Sequence, residues 1–440
     1  MTEGTLASWK RSHYTHEISP NMEGQDVTLL GWVSEKRDLG GITFIVLRDR
    51  EGKVQITASK KRVPPETWVK IQSLGRECAV GVKGTVKRND EAPGGVEVLP
   101  KEVSVMGPAS YPLPIDVTGR TPADLDSRLD ARILDLRRPE PSAIFKIKHT
   151  AANACREYLI KEGFIEVHTP RIISTATEGG AALFSIDYFG KPAYLAQSPE
   201  LYKEQLTTVF DKVFEIGPYF RAEETHTRRH LNEFISLDIE VAFADYQEVM
   251  NVQERLIEYV VSKIISERSR ELKILGVTLQ PPQLPLKRYS YDEILKELQE
   301  AGEKLRWGED LTTSSYRLLG KKHKKEFYFI VDWPTKVRPF YIKPCSEKPE
   351  LCYAFDLMYE WIEVTSGGSR VDSKEVLIER LKEQNLKPAS FKFYLDSFNY
   401  GMPPHAGWGM GLDRFIMAIL DIKNIRECVL FPRDRFRLTP

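Results

Sequence analysis

Runs of β-branched and other apolar residues, broken by glycine turns, fill the first quarter of the chain. Gln25–Val33 (QDVTLLGWV), Gly41–Asp49 (GITFIVLRD), Lys53–Ala58 (KVQITA), Ala79–Lys87 (AVGVKGTVK) and Gly95–Val105 read as strands, with Leu39-Gly40-Gly41 and Glu51-Gly52 among the turns. Pro65–Leu74, between the third and fourth runs, reads as a helix. Five strands with a helix after the third is the order of an OB-fold, a small barrel that binds oligonucleotides. Residues 13–106 are therefore expected to form that domain, behind a loose polar tail over 1–12.

The pattern changes at residue 107. Residues 107–140 are first proline-rich (PASYPLPIDVTG) and then charged (DLDSRLDARILDLRRPEP), which predicts a hinge with a short helix. From 141 to 440 long helical patterns mix with strands. Val249, Val252, Leu256, Val260 and Ile264 recur at helical spacing and predict an amphipathic helix whose stripe is core packing. Residues 270–330 are rich in Lys and Glu and read as an insertion. The fold class expected is α+β, a barrel in front of a larger mixed domain.

Composition narrows the function. A chain of 440 residues suggests two to three domains. Lys+Arg and Asp+Glu are both 63, so a bulk-basic nucleic-acid binder is excluded and any such contact must use local patches. Apolar residues at 41% and charged residues at 29% exclude disorder. The five cysteines are scattered, with no CxxC, which argues against a disulfide framework or structural zinc and fits a reducing cytoplasm. No apolar run approaches the ~20 residues of a membrane span, and the N-terminus has no signal-peptide core.

Three constellations carry chemistry. There is no GxxxxGK[ST] and no GxGxxG at a Rossmann position. Gly407-Trp408-Gly409-Met410-Gly411 instead runs into Leu412-Asp413-Arg414 and an apolar helix, and an arginine there needs an anionic partner. Phe220-Arg221-Ala222-Glu223, a polar loop, Arg229–Phe234 and a strand Ile235–Phe243 carrying Asp238 and Glu240 look like a polyphosphate site. Asp356 and Glu363 lie seven residues apart. In one regular strand they would face opposite ways, so they could share a Mg²⁺ only across a bend or bulge.

Together these resemble the class II aminoacyl-tRNA synthetases, subclass b, and within them the archaeal-type aspartyl enzymes. Motif 1 resembles Gly163–Pro170 (GFIEVHTP), motif 2 is FRAEETHTRRHLNEF at 220–234, and motif 3 is GMGLDR at 409–414. The resemblance implies that Arg221 grips the α-phosphate of ATP and Arg414 the γ-phosphate. Glu223 would read the adenine amino group, Phe234 stack on the ring and His230 meet the outer phosphates, with Arg229, Leu231, Glu363 and Gly411 completing the site. Asp356, Glu363 and Ser366 would hold Mg²⁺. The segment Ala196–Lys203 (AQSPELYK) resembles the aspartate signature QSPQLxK. Lys203 and Arg370 would face the substrate's side-chain carboxylate, and asparagine's amide would meet donors with no acceptor. Asp238 would bind the α-ammonium, with Ser198 and Ser366 beside it and Glu178 on a closing loop. Glu200 stands where the family usually has glutamine.

In the barrel, Arg37, Phe44 and Gln55 match the family's anticodon readers, Phe44 as a stacking platform and Gln55 pairing with U35. Family members confined to tRNA-Asp tend to carry Trp and Lys at the positions of Ser34 and Pro93, and relaxed ones His and Pro. Pro93 with a small Ser34 favours an enzyme that charges both tRNA-Asp and tRNA-Asn with L-aspartate. An amidotransferase would then convert Asp-tRNA-Asn. Motif 1 implies a homodimer. The rivals are an enzyme restricted to tRNA-Asp, an asparaginyl-tRNA synthetase, an asparagine synthetase on the same catalytic fold and a non-catalytic RNA-binding paralogue.

Overall fold

The computed structural model describes residues 8–176, 182–224 and 227–440. They fall into two compact units, Met1–Leu134 and Asp135–Pro440.

In the first unit, β1 (Asp26–Asp38), β2 (Ile42–Arg48), β3 (Lys53–Ser59), β4 (Ala79–Arg88) and β5 (Val96–Gly107) close into a barrel in the order β1-β2-β3-β5-β4. Helix Pro65–Ser73 lies between β3 and β4, the order of elements expected of an OB-fold. Burial alternates along each strand. Thr43, Ile45 and Leu47 point inward, and Phe44 and Val46 lie half-exposed on the other face. Val27, Leu29, Ile45, Leu47, Ile56, Val82 and Val98 fill the interior. β1 runs five residues past Val33, where its reading from sequence ended. A bulge at Ser34 re-registers it, and Glu35–Asp38 go on pairing with β2. The charged run Glu35-Lys36-Arg37-Asp38 has no apolar alternation to announce a strand. After β5, the proline-rich stretch leads to a helix, Leu125–Asp130, whose first turn is capped by the Asp124 carboxylate accepting from Ser127 N–H.

In the second unit, helix Pro139–Lys161 leads into β6 (Ile165–Glu166). β7 (Ile172–Ile173), β8 (Ser185–Tyr188) and β9 (Lys191–Leu195) form a small sheet of order β7-β9-β8. β10 (Lys212–Phe220), β11 (Glu233–Ala242), β12 (Lys287–Ser290), β13 (Phe327–Pro334), β14 (Leu351–Tyr359), β15 (Ile362–Ser369) and β16 (His405–Gly411) join β6 in an eight-stranded sheet. Its order is β12-β13-β14-β15-β16-β11-β10-β6, antiparallel except for the parallel pairs at its two edges.

Period-two side chains sort this sheet into two faces. Leu237, Ile239 and Val241 of β11, Phe355 and Leu357 of β14, and Ala406, Trp408 and Met410 of β16 join one core with helices Pro139–Lys161 and Tyr246–Glu267. Of the predicted stripe, Val249, Leu256, Val260 and Ile264 are fully buried in it and Val252 is partly buried against it. The intervening residues face the other way, where Ala354 and Met358 join a second core with Trp333, Phe340 and Tyr394. The Lys- and Glu-rich stretch 270–330 supplies the edge strand β12 and the helix Tyr291–Glu300, whose Tyr291, Ile294 and Leu298 belong to that second core.

Candidate active site

The second face of the sheet carries most of the candidate site residues. Reading across it, Asp238 of β11 lies opposite Gly409 of β16, Gly409 opposite Ser366 of β15, and Ser366 opposite Asp356 of β14. A parallel row runs Glu240, Gly407, Gly368, Ala354. The glycines make room for the carboxylates. A Cβ at Gly409 would stand 2.7 Å from Asp238 Oδ1, and one at Gly407 would collide with the Glu240 carboxylate. The glycine-rich string of motif 3 is thus one side of a strand whose other side is Trp408 and Met410. Its last glycine leads directly into helix Leu412–Ile419.

Asp356 and Glu363 do not share a strand. They sit on β14 and β15, joined by a tight turn at Glu360-Trp361. The register shifts between the Leu357–Thr365 and Met358–Glu363 pairs, leaving Val364 as the extra residue of a bulge. In regular register Glu363 would lie opposite Tyr359, on the far face. The bulge sets it opposite Met358, on the face of Asp356. Each carboxylate already has a cation. Arg338 grips Asp356 with both Nη atoms, stacks on Trp333 at 3.8 Å and reaches Ser366 Oγ at 3.3 Å. Arg414 Nη1 lies 3.4 Å from Glu363 Oε1. Burial pushes the Asp356 carboxyl up to about 6, with Arg338 opposing the rise and Glu363 adding to it. Two carboxylates and a hydroxyl on one face are hard oxygen donors suited to Mg²⁺, which takes few protein ligands and shares phosphate oxygens.

A cavity of about 260 Å³ opens onto this face. Among the described residues, every site residue predicted in this unit borders it except Lys203 and Asp356, which are bonded to residues that do. Glu178 lies outside the described residues. Motif 2 spans the end of β10, its loop and the start of β11, with Tyr219 paired to Phe234. Asn232 ties the loop's base by donating to the carbonyls of Arg221 (2.7 Å) and Glu223 (3.2 Å). Arg221 lies 5.4 Å from the Phe234 ring centre, and Arg229 lies over Trp361. His230 bonds Thr227 through Nδ1, and burial and Arg414 together lower its pKa.

Helix Glu200–Phe210 brings Lys203 to the Asp238–Glu240 end of β11. The Lys203 ammonium is 2.9 Å from Glu200, 3.1 Å from Asp238 and 3.5 Å from Glu240. Burial disfavours that ammonium, but the three carboxylates more than offset it and its pKa lies above the usual lysine value. Arg370 forms a two-pronged pair with Glu240 at 3.0 and 3.1 Å and meets Glu200 at 2.6 Å. This corrects the expectation that asparagine's amide would find no acceptor: Glu200 and Glu240 both stand beside the cation pair. Behind them Glu204 accepts from the Tyr394 hydroxyl and meets His405 Nε2 at 3.2 Å.

In the barrel, Arg37 lies directly opposite Phe44 across β1 and β2, and Gln55 opposite Val46 across β2 and β3. The three border one groove. Gln55 Nε2 donates to Thr57 Oγ1 at 3.2 Å and to buried Glu97 at 3.3 Å. A carboxylate can only accept, so Glu97 fixes the amide and leaves the Gln55 oxygen to the groove. Ser34 is buried at the β1 bulge rather than on the surface, and borders a second groove that shares Arg76 and Arg120 with the first. Pro93 is exposed in the β4–β5 connection and borders neither.

The chain matches the tRNA synthetases class II (D, K and N) over residues 124–435, and the OB-fold nucleic acid binding domain over 27–106. It belongs to the class II tRNA synthetases of the D, K and N group. The aspartate–tRNA(Asp/Asn) ligase of Archaeoglobus fulgidus is 52% identical over 97% of this chain and 99% of that one. The aspartate–tRNA(Asp) ligase of Pyrococcus abyssi is 50% identical over 98% and 100%. Among solved structures, the asparaginyl-tRNA synthetase from Pyrococcus horikoshii complexed with asparaginyl-adenylate superposes with a TM-score of 0.93 at 36% identity, covering 98% of this chain and all of that one.

For a class II synthetase, the residues that sequence reasoning missed are instructive. Arg338 and Tyr341 border the cavity from the segment after β13, which carries no recognisable motif. Glu97 gave no signal because its partner Gln55 lies 42 residues away.

Proposed function

We propose that the chain is an ATP-dependent aspartate–tRNA ligase that charges both tRNA-Asp and tRNA-Asn. The observation that carries the reading is one cavity bordered by Arg221 and Arg414 and, through Arg370 and Asp238, backed by the buried Lys203. The arginines suit a triphosphate, and the Lys203–Arg370 pair suits the second carboxylate of aspartate. Asp238, whose oxygens accept from Lys203 at 3.1 Å and from Ser236 at 2.6 Å, is the residue proposed for the α-ammonium.

The reaction needs no nucleophilic side chain. The aspartate α-carboxylate attacks the α-phosphorus of ATP and pyrophosphate leaves. The terminal ribose hydroxyl of tRNA then attacks the adenylate carbonyl and AMP leaves. The chain's contribution is positioning and charge neutralisation. Arg221 and Arg414 offset the phosphate charge, Phe234 provides an aromatic face for adenine and Glu223 an acceptor for its amino group. Asp356, Glu363 and Ser366 would hold Mg²⁺, which neutralises phosphate charge when bound. Asp356 would then exchange part of its pairing with Arg338.

Arg37, Phe44 and Gln55 are proposed to receive the anticodon, the Gln55 oxygen accepting from the uracil N3–H. The small Ser34 leaves its groove open beside them, which supports relaxed reading of the third anticodon base, as does the aspartate–tRNA(Asp/Asn) name of the A. fulgidus relative. Such an enzyme requires a transamidating partner for Asp-tRNA-Asn. A homodimer is supported by Ile160 and Ile165, exposed apolar residues beside the sheet's edge strand β6, and would appear as twice the chain mass in solution. Cytoplasmic location fits the absence, among the described residues, of any helix long and apolar enough to cross a membrane.

ATP–pyrophosphate exchange with aspartate and with asparagine tests the amino acid, with aspartate expected. Charging tRNA-Asp and tRNA-Asn transcripts at fixed salt tests the breadth. A preference for tRNA-Asp above about a thousandfold, ~4 kcal/mol, overturns dual charging.

A further inference from the structure

Glu200 opens the helix that carries Lys203. It is buried, with 5% of its surface exposed, yet borders the cavity. One oxygen lies 2.9 Å from Lys203 Nζ and the other 2.6 Å from Arg370 Nη2. A single carboxylate thus bridges the two cations proposed for the substrate's side chain.

Lys203 has little left to offer a second carboxylate, and Arg370 has only Nη1 uncommitted to the resident carboxylates. An ammonium has three protons, and Lys203 already meets Glu200, Asp238 at 3.1 Å and the Trp408 carbonyl at 3.3 Å. Arg370 gives Nε and Nη2 to Glu240. The immediate balance is three carboxylates, Glu200, Asp238 and Glu240, against two cations. With the substrate α-ammonium assigned to Asp238, the substrate's side-chain carboxylate is left facing Lys203 and Arg370 with Glu200 and Glu240 still beside them, a crowding of buried negative charge that is costly unless a resident anion yields.

We propose that Glu200 is a specificity-determining internal competitor: its carboxylate occupies the Lys203–Arg370 pair in the free enzyme and must withdraw for aspartate to bind. This rests on the aspartate reading above. The competition weakens aspartate binding and narrows the margin over asparagine. A neutral amide brings no extra charge, and its N–H can donate to the carboxylate that stays.

The opposite role for Glu200 is direct acceptance from the substrate α-ammonium, and the two are separable. Glu200→Gln keeps the shape and removes the charge. Its KM for aspartate in ATP–pyrophosphate exchange is expected to fall at least about tenfold, the step set by ~1.4 kcal/mol. Calorimetric binding of aspartate to the full-length enzyme without ATP should tighten likewise, while asparagine as a competitor should weaken. Glu200→Asp, which draws the carboxylate back by one methylene, should shift aspartate the same way by less and serves if the glutamine variant does not fold. An unchanged or raised aspartate KM in the folded variant overturns the competitor role. Absence of aspartate-dependent exchange in the unaltered enzyme would overturn the aspartate reading itself, a result that needs no variant.

Discussion

The catalytic face of the sheet and the outer groove of the barrel are built in opposite ways. At the sheet, Lys203, Asp238, Asp356 and Arg370 are almost completely buried; Lys203 and Arg370 each meet two or more carboxylates, while Asp238 is held by Lys203 and Asp356 by Arg338. In the barrel, Arg37 is exposed, Phe44 is half-buried, and only Gln55 is fixed by a buried partner. Most charges of the sheet site are fixed in the free chain, as charge-stabilising catalysis requires, with Glu200 proposed to yield when aspartate binds. The groove offers a flat and polar surface, suited to the splayed bases proposed for it. A site residue on the sheet therefore belongs to the folding balance as well as to the chemistry, whereas one on the barrel can be removed with little cost to the fold.

The largest break should come at Lys203. Lys203→Ala leaves Glu200, Asp238 and Glu240 without their shared cation. Removing one partner of a buried charge cluster costs about 3–5 kcal/mol. Thermal melting should show that loss, and aspartate-dependent exchange should vanish. Near-normal exchange would mean that Lys203 does not serve the substrate. Gly409→Ala is expected next. Its new Cβ would press on Asp238, 2.7 Å away, so the KM for aspartate should rise steeply with a smaller effect on the KM for ATP. Equal effects on both would remove Asp238 from the amino-acid end.

The same contrast explains what could be seen in the sequence. The alternation in Leu237-Asp238-Ile239-Glu240-Val241 and in Ala406-Gly407-Trp408-Gly409-Met410 writes one buried face and one working face along each strand, and both were legible as motifs. The pairing of Asp356 with Glu363 was not, because it depends on a hairpin turn and on the bulge at Val364, and seven residues of spacing describe neither. Arg338 was invisible because its partner Asp356 lies on a neighbouring strand. In the barrel the order of strands was readable from β-branched runs. The burial of Ser34 was not, since the bulge that turns it inward has no glycine to mark it.

Phe44→Ala should sharpen the comparison from the other side. Stacking on an aromatic ring contributes about 1–3 kcal/mol per base, so tRNA charging should fall by ~5- to 150-fold in kcat/KM. Exchange without tRNA and the melting temperature should stay near those of the parent. Matching losses in both half-reactions would mean that Phe44 supports the fold, and the distinction between the two faces would fail there.

The smallest effect expected is a dependence of stability on pH that originates behind the amino-acid site. His405 is buried, bonds the Pro403 carbonyl through Nδ1 and meets Glu204 through Nε2. Burial disfavours its charged form, but the Glu204 carboxylate more than offsets this, with Glu240 adding to it, and the pKa rises above 6.5. The folded chain therefore holds this proton more tightly than the unfolded one. The resulting stabilisation is fully present below pH 6.5 and is lost as pH rises through the folded value, with a slope bounded by ~1.4 kcal/mol per pH unit for one proton. His405→Asn should be less stable at pH 6 but should lose less on going to pH 8.5, so that denaturation midpoints of parent and variant converge. Glu200, Glu240 and the Tyr394 hydroxyl also face this pair, and Glu204→Gln separates their influence: it removes the charge that holds the proton and should flatten the curve in the same window. Parallel curves for all three proteins would show that His405 and Glu204 do not titrate as a pair in this window.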